Sequence, residues 1–160
     1  MKRPLFKNLS ILILGVCLVV IKTDTSEAIY EEKYSQIIWS YLEELCELGP
    51  RNPGSKGYLR TIELIRRVGE KYSNRIVEKP FWVQVSENEK VRMVNLELQF
   101  AGTEGGAPII IGSHFDTRPF ADREIELEKK NRPILGANDG GSGTAVLLGL
   151  AHFLFQHPVA

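Results

Sequence analysis

Three side chains have the types and spacing for chemistry: His114, Asp116 and Asp139. His114 and Asp116 leave the end of an apolar run, in Ile109-Ile110-Ile111-Gly112-Ser113-His114-Phe115-Asp116. Asp139 lies in Gly136-Ala137-Asn138-Asp139-Gly140-Gly141-Ser142-Gly143-Thr144, just before a long apolar segment. Imidazole and carboxylate ligands suit Zn²⁺, and a catalytic zinc keeps one coordination position open. In extended backbone, residues i and i+2 project to one face. Asp116 can therefore accept a hydrogen bond from the His114 ring, or shape the site around it, as groups behind a metal-bound His generally do. Each motif has a plain alternative. His-x-Asp recurs by chance, and Asp139 can simply cap a helix over 142–155. Their joint occurrence between an apolar strand and an apolar helix favours function. His114 and Asp139 alone do not complete a metal site, so the remaining ligands and the acid/base group are expected beyond Ala160.

The elements that must position these groups are legible from periodicity. Ile37, Ile38, Tyr41, Leu42, Leu45 and Leu48 recur at spacings of three and four and predict a helix over Tyr30–Leu48. Cys46 falls among its apolar positions and reads as a small core residue. Gly49-Pro50 ends the helix, and Arg51-Asn52-Pro53-Gly54-Ser55-Lys56-Gly57 continues as a loop of defined path. Arg51 there reads as a surface or loop-bracing residue before an anion contact. Ser55 is placed to cap a second helix, over Tyr58–Tyr72, with Leu59, Ile62, Ile65, Val68 and Tyr72 on one face. Phe81–Val85 and Val91–Phe100 predict two strands of a hairpin around 86–90, with Val94, Leu96, Leu98 and Phe100 on one face and Trp82 in a packing role. Ile109–Ile111 predicts a buried strand. Residues 117–133 read as a charged, solvated loop. Thr144–Phe155 is apolar nearly all round and predicts a buried helix. The class is α/β, where ligand sites lie at the carboxyl ends of strands. So apolar a last helix needs further cover, which points to the N-terminal part of a longer protein.

Composition narrows the rest. The chain has 160 residues, 43% hydrophobic and 25% charged, ordinary values for one globular domain. Its 20 basic and 20 acidic residues balance, without the basic excess that marks nucleic-acid or anionic-membrane binding. Lys2, Arg3 and Lys7, the apolar run Ile11–Ile21 and the small residues Ser26 and Ala28 form the layout of a signal peptide over 1–28. An uncleaved signal anchor is the alternative. Cys17 lies inside the apolar run rather than at its end, which disfavours a lipidation site. Removing the leader leaves residues 29–160 with Cys46 as the single Cys, hence no intrachain disulfide. The expected location is secreted or periplasmic.

Gly112-Ser113-His114-Phe115-Asp116-Thr117-Arg118-Pro119-Phe120-Ala121-Asp122, followed by the Asp139 motif, resembles the zinc-dependent aminopeptidase superfamily. The match looks closest to its glutaminyl cyclase branch, bacterial and secreted, and Arg51–Tyr58 resembles the N-terminal segment of that branch. The resemblance implies a mixed β-sheet with helices on both faces, incomplete here at the C-terminus. It implies that Asp139 binds zinc. In two-zinc aminopeptidases Asp139 would bridge the metals and His114 would be a ligand; in single-zinc cyclases His114 would not. Asp116 would support the site from behind. The family's catalytic Glu, the zinc-binding Glu beside it and the C-terminal zinc-binding His have no counterpart here, so residues 29–160 alone are expected to be inactive. Ser113 and Thr144 stand where animal cyclases carry a disulfide, which fits a bacterial type. The implied reaction converts an N-terminal Gln to pyroglutamate with release of ammonia, with peptide or protein N-termini as substrates. The alternatives are a zinc aminopeptidase and a non-catalytic binding domain of the same fold.

Overall fold

The computed structural model describes residues 10–14, 17–21 and 25–158, with side chains from 31 to 158. The chain divides into two units, 1–36 and 37–160. In the first, β1 (Ser10–Leu14) and β2 (Cys17–Ile21) pair antiparallel with Leu12 opposite Val19. Helix α1 (Thr25–Glu47) begins in this unit. The apolar run of the expected leader thus forms this hairpin, and Ser26–Ala28 lie in α1, while Lys2, Arg3 and Lys7 lie outside the described residues. Among the described residues, no helix is long and apolar enough to cross a membrane.

The second unit is built on two helices and a long hairpin. Helix α2 (Lys56–Tyr72) starts where the sequence places its cap: the Ser55 hydroxyl accepts from the Tyr58 N–H at 3.1 Å. It buries Tyr58, Ile62, Leu64, Ile65 and Val68, whereas Leu59 is exposed. The buried stripe is therefore turned toward Leu64 relative to the expected face. Strands β3 (Arg75–Ser86) and β4 (Glu89–Gln99) pair antiparallel over nearly their whole length, with Trp82 opposite Arg92. β3 starts six residues before the expected Phe81 and contains Pro80. That is tolerated because β3 is an edge strand, where a missing N–H removes no ladder bond. Opposite Pro80, the Val94 N–H donates to the Tyr58 hydroxyl at 3.1 Å, so the hairpin is tied to α2. Arg66 and Glu78 add a two-pronged ion pair between the same elements, at 2.5 and 2.9 Å.

Helix α3 (Gly143–Gln156) closes the core. Leu45 of α1, Leu64, Ile65 and Val68 of α2, and Ala145, Leu148 and Ala151 of α3 form one buried cluster, with Leu96, Leu98 and Phe100 packed against it. Fully burying a side chain such as Leu45, Leu64 or Leu148 contributes about 1.5–3 kcal/mol. Three expectations are corrected here. Ile109–Ile111 forms no strand, and its residues are 88%, 91% and 63% exposed. Its β-formers have no described neighbour to pair with, and strand propensity is realised only through such neighbours. Helix α3 is buried on one side only: Val146 and Phe155 are exposed. Trp82, expected to pack, is 66% exposed. Residues 118–133 form the expected solvated loop, with one short 3₁₀ turn at Leu127–Lys129, while Thr117 at its start is buried.

Candidate metal centre

Arg51 assembles the region. It is fully buried, and its guanidinium donates to four backbone carbonyls. Nε reaches Phe115 O at 2.7 Å, Nη1 reaches Leu135 O at 2.9 Å and Leu45 O at 3.2 Å, and Nη2 reaches Gly136 O at 2.7 Å. Its backbone N–H donates to the Thr117 hydroxyl at 3.0 Å, and the Thr117 N–H donates back to Arg51 O at 3.2 Å. Burial pushes the guanidinium pKa down, partly offset by Cys46 and then by Asp116. Arginine remains charged under such a shift. The loop-bracing reading of Arg51 holds, but in the interior rather than at the surface.

The Asp139 turn depends on two left-handed glycines. Gly136 has φ +63° and Gly140 has φ +85°. Gly136 O also accepts the Gly141 N–H at 3.1 Å, closing the turn around Asp139. A Cβ on Gly140 would lie 2.9 Å from the His114 ring and from His114 O, so only Gly lets the turn come this close. The Thr144 hydroxyl lies 2.7 Å from Gly140 O and 3.0 Å from His114 O, pinning the start of α3 to both segments.

The His114 ring lies between the two aspartates. Nδ1 is 3.1 Å from Asp116 O and 3.5 Å from the Asp116 carboxylate; Nε2 is 3.1 Å from Asp139 Oδ1. A carbonyl oxygen only accepts, so the first contact requires the ring proton on Nδ1. Nε2 of the neutral ring then turns a lone pair toward a carboxylate oxygen. Two acceptors at that distance are stabilised by a cation shared between them, either a proton or a metal. Two ligands bonded at about 2.05 Å on a tetrahedron stand about 3.3 Å apart, near the observed separation. The donor set therefore fits a divalent zinc-like ion held at Asp139 and Nε2. Among the described residues no third His, Cys, Asp or Glu joins them. The pair faces solvent, with His114 56% and Asp139 76% exposed. Asp139 makes no capping bond within the described residues; the helix-cap alternative for it is not what the structure contains.

Comparison with known proteins places this geometry. Residues 95–159 match the model of Peptidase family M28. That segment contains His114, Asp116 and Asp139. The chain is also similar in structure to the glutaminyl cyclase of Fimbriiglobus ruber, with 31% identity and a TM-score of 0.70 over 77% of this chain and 41% of that one. The glutaminyl cyclase of Bacteroides thetaiotaomicron, solved with N-acetylhistamine, gives 23% identity and a TM-score of 0.66 over 77% of this chain and 42% of its own. A Zn-dependent exopeptidase of Parabacteroides distasonis gives 19% and 0.63 over the same shares. This chain thus spans about two-fifths of the length of the structures it matches. No curated protein matches it in sequence.

The α/β class and the resemblance read from the sequence, to the glutaminyl cyclase branch of the zinc aminopeptidase superfamily, agree with these M28 and cyclase neighbours. His114, Asp116 and Asp139 are brought together as the sequence predicts. The ring bond, however, goes to the Asp116 main chain rather than squarely to its carboxylate. Sequence reasoning missed that Arg51, which lies outside the M28 match, holds both halves of the site. The signal was present in the dense Pro/Gly loop around it, whose path has to be fixed by something. Ser113 and Thr144, aligned by resemblance with a disulfide of animal cyclases, are linked here only through their neighbours: both hydroxyls lie near His114 O.

Proposed function

We propose that this chain carries the Asp139–His114 part of a zinc-dependent glutaminyl-peptide cyclotransferase acting on peptide and protein N-termini. The observation that carries the reading is the Asp139 carboxylate, 76% exposed at a turn closed by glycines, on the M28-matching segment of a chain 31% identical to a glutaminyl cyclase. Asp139 supplies the anionic ligand oxygen. Asp116 O holds the Nδ1 proton and so fixes the His114 ring with Nε2 toward Asp139. Both groups are exposed enough for a chain terminus to reach them. Zinc held there would supply Lewis acidity toward the side-chain amide carbonyl of an N-terminal Gln as the α-amine attacks that carbon and ammonia leaves. By the resemblance, a proton-carrying carboxylate and further ligands, none of them among the described residues at this pair, complete the site. The accompanying proposal for the N-terminus is export under a leader over 1–28, cleaved near Ala28, to the periplasm or outside the cell; N-terminal sequencing of exported protein tests it.

A second reading is a two-zinc aminopeptidase. It is favoured by the same Nε2–Asp139 contact, because that enzyme uses His114 as a ligand and Asp139 as a bridge. Incubating the full protein with Gln- and Leu-initiated peptides separates the two. Ammonia plus an N-terminally blocked product supports the cyclase; free Gln or Leu supports the peptidase. Absence of bound zinc, together with activity unchanged by Asp139→Ala, would sink both and leave a binding domain of this fold.

A further inference from the structure

Arg51 is the feature that neither the family match nor the proposed chemistry absorbs. It stands 64 residues from Phe115 and 85 from Gly136, yet bonds both within 2.7 Å. Phe115 is flanked by His114 and Asp116, and Gly136 O closes the turn that displays Asp139. One rigid, planar fork therefore spans the two backbone segments that carry the metal-facing groups. Lys cannot replace it, since an ammonium donates from one point and cannot reach carbonyls on three segments. No carboxylate pairs with Arg51 within ion-pair distance among the described residues, and four of its five N–H donors go to main-chain carbonyls. A brace that served stability alone would not need to converge on these two segments. We propose that Arg51 is a positioning residue for the metal centre: it sets the separation of the His114 and Asp139 segments and thereby the zinc affinity. This rests on the reading of Asp139 and His114 as a zinc site.

Zinc affinity of the full chain, measured by competition with a chromophoric chelator, tests the inference alongside thermal unfolding of the metal-free protein. Arg51→Lys is expected to weaken zinc binding about 10–100-fold, the usual loss when a group behind a metal ligand is removed. The control is Ile62→Ala, buried on α2 but outside the cluster against which Phe115 packs. It is expected to lower the melting temperature comparably and to leave zinc affinity within about twofold. Equal losses of affinity in both variants, or none in Arg51→Lys, overturn the inference. Failure of the unsubstituted protein to bind zinc instead overturns the zinc reading itself. Hydrogen exchange of the unsubstituted protein gives a measurement that does not depend on the variant folding. The Thr117 and Gly141 amides, which report the two segments, are expected to open together as one unit. Opening of one without the other also refutes the brace.

Discussion

Gly140→Ala probes how tightly the Asp139 turn approaches His114. Two costs add. Gly140 has φ +85°, and placing a residue with a Cβ there costs about 1–2 kcal/mol. The new Cβ would also stand 2.9 Å from His114 Cε1, Nδ1 and O, inside normal contact distance. The ring or the turn must move, and overpacking of this kind costs about 1–3 kcal/mol. The expected loss is therefore about 2–5 kcal/mol. Gly54 separates the two terms, since it has φ +84° with nothing within 4 Å of its Cβ. Gly54→Ala is expected to show the backbone cost alone, about 1–2 kcal/mol. Urea unfolding followed by Trp39 and Trp82 fluorescence measures both. In a chain of 160 residues each kcal/mol also lowers the melting temperature by about 2–4 °C. The His114 ring resonances should shift in Gly140→Ala and stay in place in Gly54→Ala. Equal destabilisation by the two substitutions, with His114 unmoved, refutes the close approach.

Other expectations follow from the same contacts. His114→Ala should reduce bound zinc from two ions to one in an aminopeptidase and leave a single ion in a cyclase; metal analysis of the purified full chain decides. Tyr58→Phe removes the acceptor of the Val94 N–H and should cost about 1–3 kcal/mol in urea unfolding, with no change if water replaces the hydroxyl. The Arg66 hydrogen bond lowers the Glu78 pKa from its ordinary value of 4.5. A lowered carboxylate pKa adds stability above the unfolded value, lost as pH falls through the folded one. Glu78→Gln should therefore cost under about 1 kcal/mol at pH 7, because the pair is exposed. The difference should vanish in acid well below pH 4.5 and shrink in high salt.

What was legible in the sequence depended on whether a signal was local. The Ser55 cap, the α2 stripe around Ile62, Ile65 and Val68, and the inward face Leu96–Phe100 are written in short-range spacing, and the structure keeps them. The meeting of His114 and Asp139 was legible because Gly-rich turns beside a carboxylate are informative. Long-range matters were not. Ile109–Ile111 has strand composition, but a strand exists only with partners. The last helix looked buried on most sides, yet which sides are covered depends on neighbours. Arg51 read as a loop residue because its partners lie far away in sequence, where periodicity has nothing to report.

That separation also sets an order of assembly. Helices α1 and α2 can pack as soon as both exist, since the loop between them is short. The bonds of Arg51 to Leu135 and Gly136 close loops of 84 and 85 residues, each opposed by about 4 kcal/mol of chain entropy before any constant term. During synthesis the guanidinium stays hydrated until those carbonyls have been made, and its desolvation can be compensated only when they arrive. The metal-facing segments are therefore joined only after Leu135 and Gly136 have been made, and a chain arrested earlier carries a cationic group at the centre of its unfinished core.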